Sequence, residues 1–268
     1  MYENPSPIFM AQQDDPAMVQ AVKSAQQKFR FFWRELAWEH RRILPALDVA
    51  CVKAPFSDSD EESEVEQMWF NEISFDGKFV SGKLVNSPNR LKSVKVGDTV
   101  HLPITGISDW MYAIRGQVFG GYTVNAIRAG MSSAERKSHD KAWGMNFGDH
   151  KVVQVIPREY FEPKKSFLGK LFSFGKAPGL DIESLEHPMS ENMGDSLRSM
   201  LQENPQAVHE TDDRGFNFLH ELALAGSQTC VKVALEQGAD PSKKTKQGLT
   251  ALDLAKSLSW TRVISQLS

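Results

Sequence analysis

Two stretches near the C-terminus of this 268-residue chain share one pattern with an offset of 33 residues. The first copy runs Asp212-x-x-Gly215-x-x-x-Leu219-His220-x-x-Ala223, and the second runs Gly248-x-Thr250-Ala251-Leu252-Asp253-Leu254-Ala255. A fixed period near 33 residues is typical of stacked helix–turn–helix units, which present a surface and contain no built-in chemistry. The pattern therefore predicts a helical tail that binds other molecules.

These residues resemble ankyrin repeats over roughly residues 191–268. The glycines suit the tight turn before the first helix of a repeat, where a positive φ is often needed. The first copy departs from the family pattern because Asn217-Phe218 stands where Thr-Pro is usual, and in the second Asp253 replaces the usual His. The resemblance implies about two and a half repeats and an all-α tail that binds proteins.

The composition is that of an ordinary globular protein, with 41% hydrophobic and 24% charged residues. The net charge of −3 argues against a nucleic-acid partner, and Cys51 and Cys230 form neither a metal-ligand spacing nor a disulfide framework. We find no signal-peptide pattern and no apolar run of the ~20 residues that a transmembrane segment requires. We therefore expect a cytoplasmic protein with no metal and no cofactor.

The residues before the repeats predict an α+β domain over residues 1–160. Apolar residues at three- and four-residue spacing follow Pro16 and predict a helix that ends near Arg42. Alternating runs around Asp76-Gly77 predict a β-hairpin, and further strands are expected at residues 47–53, 99–104, 109–118, 122–127 and 152–156. Ser132 with Glu135 predicts the start of another helix. This order indicates a mostly antiparallel sheet with flanking helices.

Several short motifs follow one another in this domain: Met68-Trp69-Phe70, Gly82-x-Leu84-x-Asn86-x-Pro88, Gly97-Asp98, Ile107-Ser108-Asp109-Trp110-Met111-Tyr112 and Gly120-Gly121-Tyr122-Thr123. In this order they resemble a bacterial domain of unknown function, the YegJ-like domain, over roughly residues 17–158. The resemblance implies a bacterial origin and a compact α+β domain, and it implies no defined chemistry.

Residues 161–190 are predicted to form a basic and apolar linker between the two parts. We expect its apolar side chains to be buried against one of the domains, and the alternative is that they bind a membrane surface. These side chains are Phe167, Leu168, Leu171 and Phe172.

The best candidate for a ligand site surrounds the pair Gly120-Gly121. A glycine pair lets a ligand or another backbone approach closely, and Trp and Tyr are favoured interface anchors. The residues of this candidate site are Asp109, Trp110, Tyr112, Gly120, Gly121 and Tyr122. The alternative is that Trp110 and Tyr112 point into the core while Asp109 caps a turn.

Catalysis would need an acid–base set, which His40, His101, His139 and His150 could form in combination with Asp109 and Asp140. His139 and Asp140 are neighbours on a predicted helix and are not expected to face each other. The sequence contains no metal-ligand spacing, nucleophile elbow or phosphate-binding loop. A hydrolase-like or small-ligand-binding domain built around Asp109, His101 and Tyr122, with the repeats as a targeting module, is therefore the second hypothesis.

The leading hypothesis is a non-enzymatic bacterial protein-binding protein, by analogy an immunity protein that neutralises a toxin by direct binding. The residues expected to contact the partner are Arg214, Phe216, Asn217, Glu221, Lys246, Leu249 and Asp253. Exposed side chains of Phe216 or Leu249 would serve as anchors. A third hypothesis makes the repeats a homodimer face, because the sequence leaves the oligomeric state open.

Overall fold

A computed structural model describes residues 15–58, 65–160 and 182–268 of the chain. The described residues divide into two compact units. Unit 1 contains residues 15–32, 43–58 and 65–155, and unit 2 contains residues 33–42, 156–160 and 182–268. Residues 161–181, with the four linker side chains for which burial is predicted, lie outside the described residues.

Unit 1 contains six strands and the helices that pack against them, within the residues that the structure describes. Its elements are most of α1 (Pro16–Glu39), β1 (Val49–Phe56), β2 (Glu66–Phe75), β3 (Phe79–Leu84), β4 (Thr99–Pro103), β5 (Asp109–Ile114), β6 (Gln117–Gly120), α2 (Tyr122–Ala129) and α3 (Ser133–Trp143). The predicted helix after Pro16 is confirmed, and the Asp15 carboxylate accepts a hydrogen bond from the Ala17 amide at 2.9 Å. Ser132 and Glu135 form the predicted capping box of α3.

The six strands form one sheet in the order β4-β3-β2-β1-β5-β6, and every neighbouring pair is antiparallel. The α+β fold with an antiparallel sheet is thus confirmed. The predicted hairpin at Asp76-Gly77 joins β2 to β3, where the Asp76 carboxylate accepts hydrogen bonds from the amides of Lys78 and Phe79 at 2.9 and 2.8 Å.

Apolar side chains pack against both faces of the sheet. On one face α1 packs its aromatic side chains, with Phe29 at 5.4 Å from Phe75 and Phe32 at 5.7 Å from Trp110 between ring centroids. On the other face a second apolar cluster joins the sheet to α2 and to the segment after α3. Its buried members are Cys51, Met111, Ala113, Val118, Val124 and Phe147.

The structure corrects three of the predicted strands. Residues 109–118 form two strands, because Arg115 and Gly116 have φ angles of 50° and 76° and turn the chain tightly between β5 and β6. Residues 122–127 belong to the helix α2, since its first amides are capped by a side chain from elsewhere in unit 1. Residues 152–156 form no strand.

The C-terminal part of unit 2 consists of helices, in agreement with the predicted all-α tail. They are α4 (Pro188–Glu203), α5 (Phe218–Leu224), α6 (Gln228–Glu236), α7 (Ala251–Ser257) and α8 (Thr261–Leu267). The starts of α5 and α7 are 33 residues apart, and so are those of α6 and α8. Corresponding helices of successive pairs are neighbours: α4 contacts α6, α5 contacts α7, and α6 contacts α8.

The backbone geometry repeats with the same offset. Gly215 and Gly248 both have a φ of 78°, and a further pair of positive φ angles occurs at Gly226 and Ser259. Capping boxes open both first helices, Asn217 with His220 for α5 and Thr250 with Asp253 for α7. The departures from Thr-Pro and His in the sequence therefore leave the side-chain hydrogen bonds of the two turns intact.

We predict that alanine is tolerated far worse at Gly120 than at Gly97. Both glycines have a positive φ, which costs a residue with a Cβ about 1–2 kcal/mol. A Cβ at Gly120 would also lie 2.4 Å from the Trp110 ring and carbonyl oxygen, whereas no atom lies within 4 Å at Gly97. Urea unfolding should show a loss of about 2–5 kcal/mol for Gly120→Ala against about 1–2 kcal/mol for Gly97→Ala. Equal losses would contradict this account of Gly120.

Candidate functional site

The carboxylate of Asp109 is fully buried at the start of β5 and caps the N-terminus of α2. It accepts hydrogen bonds from the amides of Trp110 at 2.8 Å, Tyr122 at 3.0 Å and Thr123 at 2.8 Å, and from the Thr123 hydroxyl. Gly121, the residue in the capping position of α2, has no side chain that could do this. A carboxylate from the sheet thus satisfies amides that an α-helix leaves without partners.

Lys53 supplies the positive charge of this cluster. It lies directly opposite Asp109 on β1, and its ammonium group donates a hydrogen bond to the Thr123 hydroxyl and lies 5.2 Å from the Trp69 ring centroid. Burial lowers the pKa of Lys53, although the charge of Asp109 opposes this shift. Burial likewise raises the pKa of Asp109, against the opposite effects of Lys53 and Thr123. The two groups therefore depend on each other for their charged forms.

The aromatic residues of the predicted ligand site belong to the core of unit 1. The Trp110 indole donates to the Ala25 carbonyl oxygen at 2.7 Å, and the Tyr112 hydroxyl donates to the Val155 carbonyl oxygen at 3.0 Å. Both side chains are fully buried, and Tyr122 packs edge-on against Trp110 at 5.6 Å between ring centroids. The structure thus brings the predicted residues together, with the Asp109 carboxylate engaged by α2.

The pair His101 and Asp109 is not assembled into an acid–base set. His101 lies on β4 and Asp109 on β5, four strand spacings apart in the sheet, or about 19 Å. Instead, His101 contacts the Ser81 hydroxyl at 2.8 Å and stacks on Phe79.

His139 and Asp140 do contact each other, so the prediction that they would not was wrong. The His139 Nδ1 atom lies 3.0 Å from the Asp140 Oδ1 atom. The cause is the buried Arg128, whose guanidinium donates to both oxygens of Asp140 at 3.0 and 2.9 Å and holds the carboxylate in place. Arg128 also donates to the Asn125 side chain at 2.6 Å, so this cluster ties α2 to α3.

Within residues 15–58, 65–160 and 182–268, no group of three or more His, Cys, Asp or Glu side chains is placed to hold a metal ion. None of the helices in these ranges combines the length and the apolar character needed to cross a bilayer.

Unit 2 contains a buried polar network that the sequence did not reveal. The His187 Nδ1 atom accepts a hydrogen bond from the Met189 amide at 3.1 Å and so caps α4. Its Nε2 atom faces the Glu35 carboxylate at 3.3 Å and the Tyr160 hydroxyl at 3.2 Å. Because Nδ1 accepts, Nε2 carries the proton of a neutral imidazole. The only local signal in the sequence is His187-Pro188, a capping residue followed by proline.

Burial and the contacts among its members together set the protonation states of this network. Burial lowers the pKa of His187, although the hydrogen bond and the charge of Glu35 oppose the shift. Burial alone would raise the pKa of Glu35, but the hydrogen bond and charge of His187, with Tyr160 and Arg42, lower it overall. The neutral histidine and the ionised glutamate are therefore the stable forms.

The predicted partner-binding residues differ in how much of each side chain is exposed. Arg214, Lys246 and Asp253 are exposed, and Glu221 and Leu249 are half-buried. Phe216 and Asn217 are buried, with 4% and 5% of their surface exposed. The prediction of Phe216 as an exposed anchor was wrong, because its ring packs beneath the Arg214 guanidinium at 4.5 Å and beside His220. The Asn217 side chain instead accepts a hydrogen bond from the His220 amide and so caps α5.

Ion pairs hold Arg214 in place on this surface. Its guanidinium contacts Asp212 at 2.9 Å and Glu221 at 3.6 Å, and Glu221 also contacts Arg41 at 2.8 Å. These groups are partly exposed, so the ion pairs add little to stability. Their effect is to fix the orientation of the Arg214 side chain over Phe216.

Known proteins are similar both to the N-terminal part of the chain and to nearly its full length. Residues 15–147 match a family described as an uncharacterized protein conserved in bacteria (DUF2314). A Neisseria meningitidis serogroup B protein, provisionally named an ankyrin repeat protein, is 38% identical over 263 residues, 98% of this chain and 97% of its own length. The uncharacterized protein YegJ of Escherichia coli K12 is 26% identical over 114 residues, 42% of this chain and 69% of YegJ.

The chain belongs to the family of the Neisseria protein, because the identity extends over nearly the full length of both chains. The resemblance of the N-terminal part to YegJ-like proteins is confirmed.

We predict that the effects of substituting Lys53 and Asp109 are strongly coupled. Asp109→Ala removes the cap of α2 and leaves Lys53 buried without its counter-charge, which should cost about 3–5 kcal/mol. The double variant Lys53→Met/Asp109→Ala should be less destabilised than the sum of the two single variants, as measured by urea unfolding. Simple additivity would show that the two side chains act independently.

We also predict that unit 2 is destabilised by mild acid. The pKa of His187 is lowered in the folded state, so the unfolded chain binds more protons below its ordinary pKa of about 6.5. The contribution is present above that pH and is lost as the pH falls, and the lowered pKa of Glu35 acts in the same direction at more acidic pH. The protection factors of the α4 amides, which correct for the intrinsic pH dependence of exchange, should fall between about pH 7.5 and about pH 5.5.

The variant His187→Asn provides the control for this prediction, because an asparagine can still cap α4 but does not titrate. Its α4 exchange, corrected for the intrinsic pH dependence, should change less with pH. The variant His101→Asn on the exposed strand β4 should behave like the parent chain. An unchanged pH response in His187→Asn would rule out the network as the cause.

Proposed function

We propose that the chain is a bacterial protein-binding protein whose contact surface lies on ankyrin-type repeats in residues 191–268. The observation that carries this proposal is the equivalence of two helix pairs at a 33-residue offset, with matching glycine turns and capping boxes. The name of the Neisseria relative supports it as well. Repeats of this kind stack to bury a continuous core and leave turns and one helix face for partners.

The turns that precede α5 and α7 are rigid, which favours binding. In the first, the Asp212 amide donates to the Phe216 carbonyl oxygen at 2.8 Å, and in the second the Thr245 amide donates to the Leu249 carbonyl oxygen at 2.9 Å. The Lys246 amide also donates to the Arg214 carbonyl oxygen at 2.9 Å and ties the two turns together. Side chains on such a preorganised backbone lose little conformational freedom on binding.

The specific form of this proposal is an immunity protein that neutralises a toxin by direct binding. It is supported by the bacterial family and by a surface suited to binding. The test is co-expression of the chain with toxins encoded beside its gene. Restored growth that requires a direct complex between the chain and a toxin supports this form. Restored growth without a complex, or no protection against any of these toxins, contradicts it.

The second hypothesis, a hydrolase-like or small-ligand-binding unit 1, has no supporting geometry in the described residues. The Asp109 carboxylate already accepts four hydrogen bonds, and His101 lies four strands away. We therefore place the function on the surface of the repeats.

We predict that Arg214→Ala weakens the complex with the native protein partner by at least ~30-fold, because truncating an interface arginine typically costs ~2 kcal/mol. The control is Lys232→Ala, which removes an exposed cation from α6 outside the two turns. Titration calorimetry with the purified partner measures both. If the two variants bind the partner with equal affinity, the first turn is not part of the contact surface.

Phe216→Ala should act differently from Arg214→Ala. Because the Phe216 ring is buried, its loss should destabilise the repeats by about 3–5 kcal/mol and not remove an exposed contact. Thermal unfolding should therefore separate the two variants, with a large shift for Phe216→Ala and a small one for Arg214→Ala.

A further inference from the structure

The two turns of the repeats carry opposite charges at equivalent positions. We define the first hairpin as residues 210–217 and the second hairpin as residues 243–250. Glu210 of the first hairpin corresponds to Lys243 of the second, and Asp213 corresponds to Lys246, each at the 33-residue offset. All four side chains are exposed. The same backbone therefore presents an acidic tip beside a basic tip.

The lysines of the second hairpin are open to solvent in the part of the chain that the structure describes. Lys243, Lys244 and Lys246 are exposed and form no ion pair with a described carboxylate. The hydrogen bonds of Ser242 and Thr250 lower the pKa of Asp240 and Asp253, and the charges of Lys243 and Lys244 contribute to these shifts without direct contact. The three ammonium groups are thus available to an external acid.

Three hydrogen bonds hold the backbone of these lysines in place. The Lys243 carbonyl oxygen contacts the His220 Nε2 atom at 2.9 Å, and the Lys246 amide donates to the Arg214 carbonyl oxygen. Between them Thr245 is buried, and its carbonyl oxygen accepts the Gly248 amide at 2.9 Å. The three charges are therefore held on a preorganised scaffold, which reduces the entropy lost on binding.

We propose that the second hairpin binds an acidic, carboxylate-rich segment of the protein partner, while Glu210 and Asp213 repel that segment from the first hairpin and so confine it to the second. This inference rests on the proposed protein-binding function. Complementary charges of this kind steer association and select the register of the complex. The adjacent acidic tip and the net charge of −3 favour a peptide over a nucleic acid, whose continuous phosphates would meet both tips.

The test uses the full chain and a fluorescein-labelled decapeptide of glutamate, with fluorescence anisotropy at low salt. The parent chain should bind the peptide, and added salt should weaken binding. The variant Lys243→Gln/Lys244→Gln/Lys246→Gln should bind at least ~10-fold more weakly. A matched control, Lys137→Gln/Lys141→Gln/Lys151→Gln, removes three exposed lysines from unit 1 and should bind within about twofold of the parent.

A second variant tests whether the first hairpin repels the segment. Glu210→Lys/Asp213→Lys removes the acidic tip and should tighten binding of the glutamate peptide several-fold. The proposal is overturned if the peptide does not bind, if both triple variants lose affinity equally, or if a single-stranded oligonucleotide binds more tightly than the peptide. It is also overturned if the Glu210/Asp213 variant binds more weakly.

The native partner separates failure of this inference from failure of the proposed function. If Arg214→Ala weakens the native complex and the triple variant at the second hairpin does not, the repeats bind a protein but not through its acidic segment. If neither substitution affects the complex, the repeat surface is not the contact and both proposals fail.

Discussion

The fully buried carboxylate of Asp109 determines how unit 1 is assembled. A buried carboxylate requires hydrogen-bond donors, and here they come from the first amides of α2, which in turn require an acceptor. The chain can present these amides because it turns at Gly120-Gly121, where a side chain on Gly120 would collide with Trp110. Sheet, turn and helix therefore depend on one interaction, with Lys53 balancing its charge.

Because of this interaction, the most conspicuous motif in the N-terminal part is structural and does not form an open ligand site. Asp109-Trp110 and Gly120-Gly121-Tyr122 combine a carboxylate, aromatic rings and a glycine pair, which in sequence resemble a ligand site. In the structure the carboxylate faces its own helix and the rings of Trp110 and Tyr112 fill the core. In unit 2, by contrast, Asp212, Asn217, Thr250 and Asp253 form hydrogen bonds within the turns, and the lysines of the second hairpin are exposed.

Features determined by neighbouring residues could be predicted from the sequence. The Asp76-Gly77 hairpin, the capping box at Ser132 and the 33-residue repeat belong to this group, because the side chains that stabilise each turn lie within a few positions of it. The helix at residues 122–129 was missed because its cap, Asp109, lies 13 positions earlier and on another element. Tertiary capping of this kind overrides the alternation that had indicated a strand.

The sequence predicted the exposure of some candidate binding residues but not of others, again because local turns can be recognised and tertiary contacts cannot. Arg214, Lys246 and Asp253 are exposed as expected of turn and helix-start residues, whereas Phe216 is buried because the turn folds its ring under Arg214. The network of Glu35 and His187 joins residues 152 positions apart, so no local pattern could indicate it. Sequence patterns thus indicated several exposed residues of the two turns but not the direction of each side chain.

The most direct test of the central claim is hydrogen–deuterium exchange of the full chain with and without its native protein partner. The account predicts that the partner slows exchange in the first and second hairpins, residues 210–217 and 243–250. Residues 109–123 around the buried carboxylate should exchange at the same rate in both states. Protection confined to residues 109–123, with unchanged exchange in both hairpins, would contradict the claim that the repeats carry the function.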